Sequence, residues 1–220
     1  MTKETVCKRI EEIGIIPSVR LSSTEDALFA AEAVCSSSIP IVEVTMTVPG
    51  AVEVIRSLVA NTPEVIAGAG SVFDLETARR CLDAGAQFLT STGLDVELIE
   101  FALSRNTVVF PGALTPTEVM VAWKAGSDFV KIFPCSAVGG PAYIRTLRGP
   151  FPEIRFIASG GVNQATVAEY IHAGAVAVGI GGDLIHQDAI HRRERDWIRE
   201  LSRRYTTIIK QTREQRNAAV

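Results

Sequence analysis

Lys131 lies inside DFVKIFP, an apolar run that otherwise reads as a buried strand. Burying an unpaired ammonium is costly, and the usual relief is a lowered pKa that leaves a neutral, nucleophilic amine. Strand alternation places Phe129, Lys131 and Phe133 on one face and Val130 and Ile132 on the other, so the lysine has an aromatic residue on either side. Such a setting suits attack on a carbonyl carbon to form a Schiff base. The alternative for this segment alone is a strand-end lysine that snorkels to solvent. Glu43 raises the same question in IVEVTM, where it shares a face with Ile41 and Thr45. A carboxylate in an apolar strand must be hydrogen-bonded or functional, and beside a lysine it can relay protons. The alternative is an ion pair with Lys131 that only fills the core, although two opposite charges buried in separate strands are hard to justify by stability alone.

Other residues gain meaning only if strand ends converge. Arg20 closes the run IIPSVR, and its guanidinium is the natural bidentate clamp for a carboxylate. Ser71 ends AGAGS, where glycines let a substrate approach the backbone, and Thr92 offers a hydroxyl after QFLTS. Serine and threonine at strand ends are also common helix caps. Gly160-Gly161 and Gly181-Gly182 follow two late strands, where backbone amides can bind phosphate. Asp183, directly after Gly182, would repel a phosphate dianion unless it turns away.

The elements that must position these residues alternate along the whole chain. Eight strands are expected, starting at Ile15, Pro40, Val65, Gln87, Thr107, Phe129, Arg155 and Ala175. Helices are expected over Thr24–Ser37, Pro49–Ala60, Asp74–Ala84, Asp95–Arg105, Pro116–Lys124, Pro141–Leu147 and Gln164–His172. A short helix over Thr2–Ile13 precedes them and a long one follows from Asp188 to about Arg213. Ser23 or Thr24, Asp74, Asp95, Thr115 and Asn163 stand where N-caps belong. Ala84-Gly85, Ala125-Gly126 and Ala173-Gly174 each close a helix ahead of an apolar strand, as a glycine C-cap does in a βα repeat. Eight such units over residues 1–220 fit one α/β domain, a (β/α)₈ TIM barrel with a short N-terminal helix. An open doubly wound sheet is the competing architecture, but it calls for less hydrophobic edge strands, and none stands out. In a barrel, catalytic residues sit at the C-terminal strand ends, where this set falls.

Composition narrows the function classes. A net charge of −3 leaves no basic footprint for nucleic acid, and the basic stretch His191–Arg204 is interleaved with acids. No apolar run is long enough to span a membrane, and MTKETVCKRIEE is charged where a signal peptide is apolar, so a cytoplasmic protein is expected. Cys7, Cys35, Cys81 and Cys135 are scattered without metal-ligand spacing and read as reduced thiols. His172, His186 and His191 fall on late helices or loops, which weakens the alternative of a metal-dependent lyase or phosphosugar epimerase.

In ordered succession GIIPSVR, VEVTM, AGAGSV, GAQF, PGALTPTE, VKIFP, SGGVN and GIGGDLI span nearly the whole chain. Through them the sequence resembles the bacterial 2-keto-3-deoxy-6-phosphogluconate (KDPG) and 4-hydroxy-2-oxoglutarate (KHG) aldolase family. The resemblance implies a homotrimeric class I aldolase that needs no metal or other cofactor. Its partners would be a keto acid, pyruvate and an aldehyde, with no nucleic acid or membrane. It implies that Lys131 forms the Schiff base with pyruvate or the keto acid, that Glu43 moves protons through water, and that Phe133 covers the imine. Gly160 and Gly161 would bind the distal end of the substrate, near Gly182 and Asp183. The family's arginine two residues beyond the VEVT threonine is Thr47 here, which leaves the carboxylate clamp to Arg20 and Ser71, with Thr45 a weaker candidate. Thr92 replaces a pocket proline, and Asp183 stands where phosphosugar-specific members carry serine. These departures leave the lysine chemistry intact and leave open a barrel that binds keto acids with impaired catalysis.

Overall fold

A computed structural model describes residues 1–218. Its strands are β1 (Ile15–Val19), β2 (Ile41–Thr45), β3 (Ile66–Gly70), β4 (Phe88–Thr90), β5 (Val108–Phe110), β6 (Gly112–Ala113), β7 (Val130–Ile132), β8 (Phe156–Ser159) and β9 (Ala177–Ile180). All neighbours are parallel, in the order β5-β4-β3-β2-β1-β9-β8-β7-β6. The two ends of that order, β5 and β6, are separated in sequence only by Pro111, so the sheet closes on itself. Nine strands appear where eight are expected because the fifth stave breaks at Pro111, which has no N–H to donate. Its carbonyl still accepts from the Lys131 N–H at 2.9 Å, and the Val109 carbonyl accepts from Asp128 N–H at 3.0 Å. The result is an α/β barrel of the (β/α)₈ type.

The helices are α1 (Lys3–Ile13), α2 (Thr24–Cys35), α3 (Ala51–Asn61), α4 (Leu75–Asp83), α5 (Val96–Ser104), α6 (Pro116–Lys124), α7 (Pro141–Arg148), α8 (Val167–His172), α9 (Gln187–His191) and α10 (Arg195–Ala218). Ser23, Asp74, Asp95 and Thr115 are N-caps whose side chains accept from the first-turn N–H groups, as expected. Asn163 differs: its Oδ1 accepts from Ala165 and Thr166 N–H in a turn, and α8 begins only at Val167. Gly85, Gly126 and Gly174 take φ of 98°, 90° and 103°, the left-handed geometry that ends each preceding helix.

The long C-terminal helix is two helices. Arg193 lies between them at φ 56° and pairs with Glu25 at 2.6 Å and Asp26 at 2.9 Å on α2, with its guanidinium over the Phe29 ring. The stretch HRRER contains no glycine or proline to signal this break, which depends on contacts with a distant helix. At the N-terminal end of the barrel α1 buries Val6 and Ile10, and Lys3 pairs with Asp128 at 3.0 Å. Phe88, Phe110 and Phe129 fill the barrel interior, the first two stacked at 5.2 Å and the last meeting Phe110 edge-on at 6.1 Å.

Candidate active site

A cavity of about 410 Å³ gathers residues from the ends of seven staves. Lys131 on β7 and Glu43 on β2 both line it and are 7% and 6% exposed, so each is buried in the chain yet open to whatever fills the cavity. Alternation puts Phe129 one layer beneath Lys131, where it is wholly buried. Of the two expected aromatic walls only Phe133 therefore belongs to the cavity, with its ring centre 5.8 Å from Lys131 Nζ. Burial holds the Lys131 amine below the ordinary lysine value, the Arg20 guanidinium pushes it the same way, and the Glu43 carboxylate opposes both. Among the described residues Glu43 and Lys131 form no ion pair within 4.0 Å. The core-filling pair considered from sequence is absent, and both side chains face the cavity.

Small residues make room for these groups. A Cβ at Gly70 would lie 1.9 Å from Glu43 Oε1, so the carboxylate occupies space that only glycine leaves free. Gly160 and Gly161 hold φ of 85° and 82° and wrap closely around Pro134 and Ser136, a path that L side chains rarely follow. Ser71 also adopts positive φ, 55°, and its hydroxyl lies 3.4 Å from that of Thr92.

Arg20, Ser71, Thr92, Phe133, Gly160, Gly161, Gly182 and Asp183 all line the same cavity as the lysine and glutamate. Thr45 is the exception. The chain turns back over it, with the Val48 N–H donating to its carbonyl, and it is fully buried outside the cavity with its hydroxyl unpartnered among the described residues. Thr47 is exposed and also lies outside the lining. Cys135 packs away from the cavity, its Sγ 3.7 Å from the Gly140 carbonyl and its thiol pushed up to about 11 by burial.

Gly181, read with Gly182 as a glycine pair, lines the cavity too, and sequence reasoning missed Ser18, Ser159, Val162 and Gly179. Ser18 was accessible by alternation, two residues before Arg20, and it sits in register with Glu43. Two carboxylates, Glu43 and Asp183, and two cations, Arg20 and Lys131, are the charged members of the lining. Among the described residues no group of three or more His, Cys, Asp or Glu is arranged to hold a metal ion. No described helix is long and apolar enough to cross a membrane.

The family model for KDPG and KHG aldolase matches residues 6–201. The 2-dehydro-3-deoxy-phosphogluconate aldolase of Pseudomonas aeruginosa is 33% identical over 202 residues, covering 91% of this chain and 90% of that protein. The KHG/KDPG aldolase of Escherichia coli is 31% identical over 189 residues, 86% of this chain and 89% of its own length. Among solved structures, KDPG aldolase from Legionella pneumophila, with pyruvate captured at low pH as a covalent carbinolamine intermediate, superposes with a TM-score of 0.83 at 29% identity. That match covers 89% of this chain and 95% of the other. A buried lysine and a carboxylate facing one cavity at the C-terminal ends of a parallel barrel thus coincide with similarity along almost the whole chain, which belongs to the KDPG and KHG aldolase family of aldehyde-lyases.

Proposed function

We propose that the protein is a class I aldolase that reversibly cleaves a 2-keto-4-hydroxy acid of the KDPG type to pyruvate and an aldehyde, with Lys131 as the Schiff-base residue. The observation that carries this reading is a lysine amine held below its ordinary pKa inside a cavity that a second buried group, Glu43, also lines. The neutral amine adds to the C2 ketone, and loss of water from the carbinolamine gives a protonated imine. When the proton leaves the C4 hydroxyl, the C3–C4 bond breaks. Its electrons pass into the imine as an enamine and the aldehyde departs. Protonation at C3 and hydrolysis then release pyruvate and restore the amine.

Glu43 accepts and returns these protons, directly or through one water. Arg20, with the hydroxyls of Ser71 and Thr92 nearby, is suited to hold the pyruvate carboxylate. Phe133 shields the imine side, and the Gly160-Gly161 backbone faces the distal part of the substrate. The carbinolamine named for the Legionella enzyme supports the covalent route.

Mass spectrometry after treatment with pyruvate and sodium borohydride tests the reading. The expected result is one adduct, mapping to Lys131 and lost in Lys131→Ala, together with loss of aldolase activity by at least about 10³-fold. An unlabelled wild-type protein, or an adduct on another lysine, would remove Lys131 from the mechanism.

A further inference from the structure

The cavity does not end at its lysine. A second groove, of about 570 Å³, shares Gly182 and Asp183 with it and continues past Asn163, His186 and Trp197. The passage is open: a Cβ at Gly182 would meet no atom within 4 Å. The cations of the first cavity are Arg20 and Lys131, and neither lines the groove. The charged side chain common to both spaces is Asp183, exposed and without an ion-pair partner within 4.0 Å among the described residues.

The helices that follow the two glycine pairs favour an anion little. They have six and five residues, and they begin at Val167 and Gln187, several residues past Gly161 and Gly182. Helix dipoles act within the first turn, so neither is aimed at the glycines. A phosphate monoester carries close to two negative charges at neutral pH and would face the Asp183 carboxylate. A hydroxyl instead donates to that carboxylate. In the groove, Asn163 Oδ1 is occupied by backbone N–H groups, which leaves its amide nitrogen to donate, and the half-exposed Trp197 indole offers an apolar face beside His186, ring centres 6.1 Å apart. Carboxylate, amide and indole together suit the alternating polar and apolar faces of a polyol.

We infer that the distal half of the substrate is an unphosphorylated, polyhydroxylated tail that crosses Gly182 into the groove, with Asp183 selecting it over a phosphorylated one. The inference rests on the aldolase reading above and extends it to the substrate class.

The test compares kcat/KM for 2-keto-3-deoxygluconate and its 6-phosphate in the wild type, Asp183→Asn, Asp183→Ser and Trp197→Ala, with borohydride trapping of pyruvate on the wild type beside it. The wild type should favour the unphosphorylated acid by at least roughly tenfold, and both Asp183 variants should shrink that ratio by roughly tenfold, mainly through faster cleavage of the phosphate ester. Trp197→Ala should raise KM for the unphosphorylated acid several-fold with kcat little changed. Trapping at Lys131 together with a wild-type preference for the phosphate, an unmoved ratio in Asp183→Asn, or cleavage of neither acid would overturn the inference and leave the Schiff-base reading standing. Absence of trapping would overturn both.

Discussion

At Gly70, buried in β3 behind Glu43, an added methyl would stand 1.9 Å from Glu43 Oε1, whereas at Gly182, on the cavity rim, it would meet nothing within 4 Å. Gly70 backs Glu43, a residue of the cavity lining, while Gly182 lines the cavity itself, and the two glycines answer to different constraints. Around Glu43 the strand backbone leaves little room, so its carboxylate is held in place. Around Gly182 and Asp183 there is room, and a change of side chain alters what the rim accepts without moving the groups beneath it.

The deep end of the cavity should be more sensitive to substitution than the rim. Beyond loss of the lysine itself, Glu43→Gln keeps the shape and removes the proposed base, and kcat should fall by about 10²–10⁴-fold with pyruvate KM little changed. Retention of kcat within about tenfold would mean that protons move by another route and that Glu43 only tunes the lysine. Gly70→Ala should lower kcat by about ten- to a hundredfold, because the carboxylate must shift by an ångström or more and misplacement on that scale costs about that much. Gly182→Ala should change kcat by only about twofold, the scale of an ordinary surface substitution. Equal losses at the two glycines in steady-state assays would erase the distinction between deep end and rim.

What could be read from the sequence follows the same division. Lys131 and Glu43 stood out because a charge in an apolar strand is expensive, so its presence demands a reason. Ser18 lines the cavity in register with Glu43 and went unnoticed, since a half-buried serine carries little penalty and gives no such signal. Thr45 lies by alternation on the face of Glu43, yet it is fully buried and does not line the cavity. Alternation determines which side of a strand a residue faces, while the turn that covers Thr45 depends on the loop after it. Caps and C-terminal glycines were legible because they act within a few residues, at Ser23, Asp74, Asp95 and Thr115 as at Gly85, Gly126 and Gly174. The break at Arg193 was not, because its partners Glu25 and Asp26 lie more than 160 residues away in the chain.

The smallest expected effect concerns stability and carries a definite sign. Burial holds the folded-state pKa of Lys131 below 10.5. Between that lowered value and 10.5 the unfolded chain binds a proton that the folded chain does not, so stability rises with pH across this window. Below the lowered value both states are protonated, and the penalty for the buried charge is fully present. Lys131→Met keeps most of the apolar stem and carries no proton, so at neutral pH it should be more stable than the wild type by about 1.4 kcal/mol for each pH unit between the lowered value and 10.5. The gain should shrink as pH approaches 10.5, where the wild-type amine is neutral in either state. Denaturation midpoints at pH 7 and pH 10 measure the difference. A methionine variant that is less stable at both pH values, by the same amount, would mean that the deep end of the cavity tolerates an ammonium at no cost, and the physical reason for expecting a neutral nucleophile there would be gone.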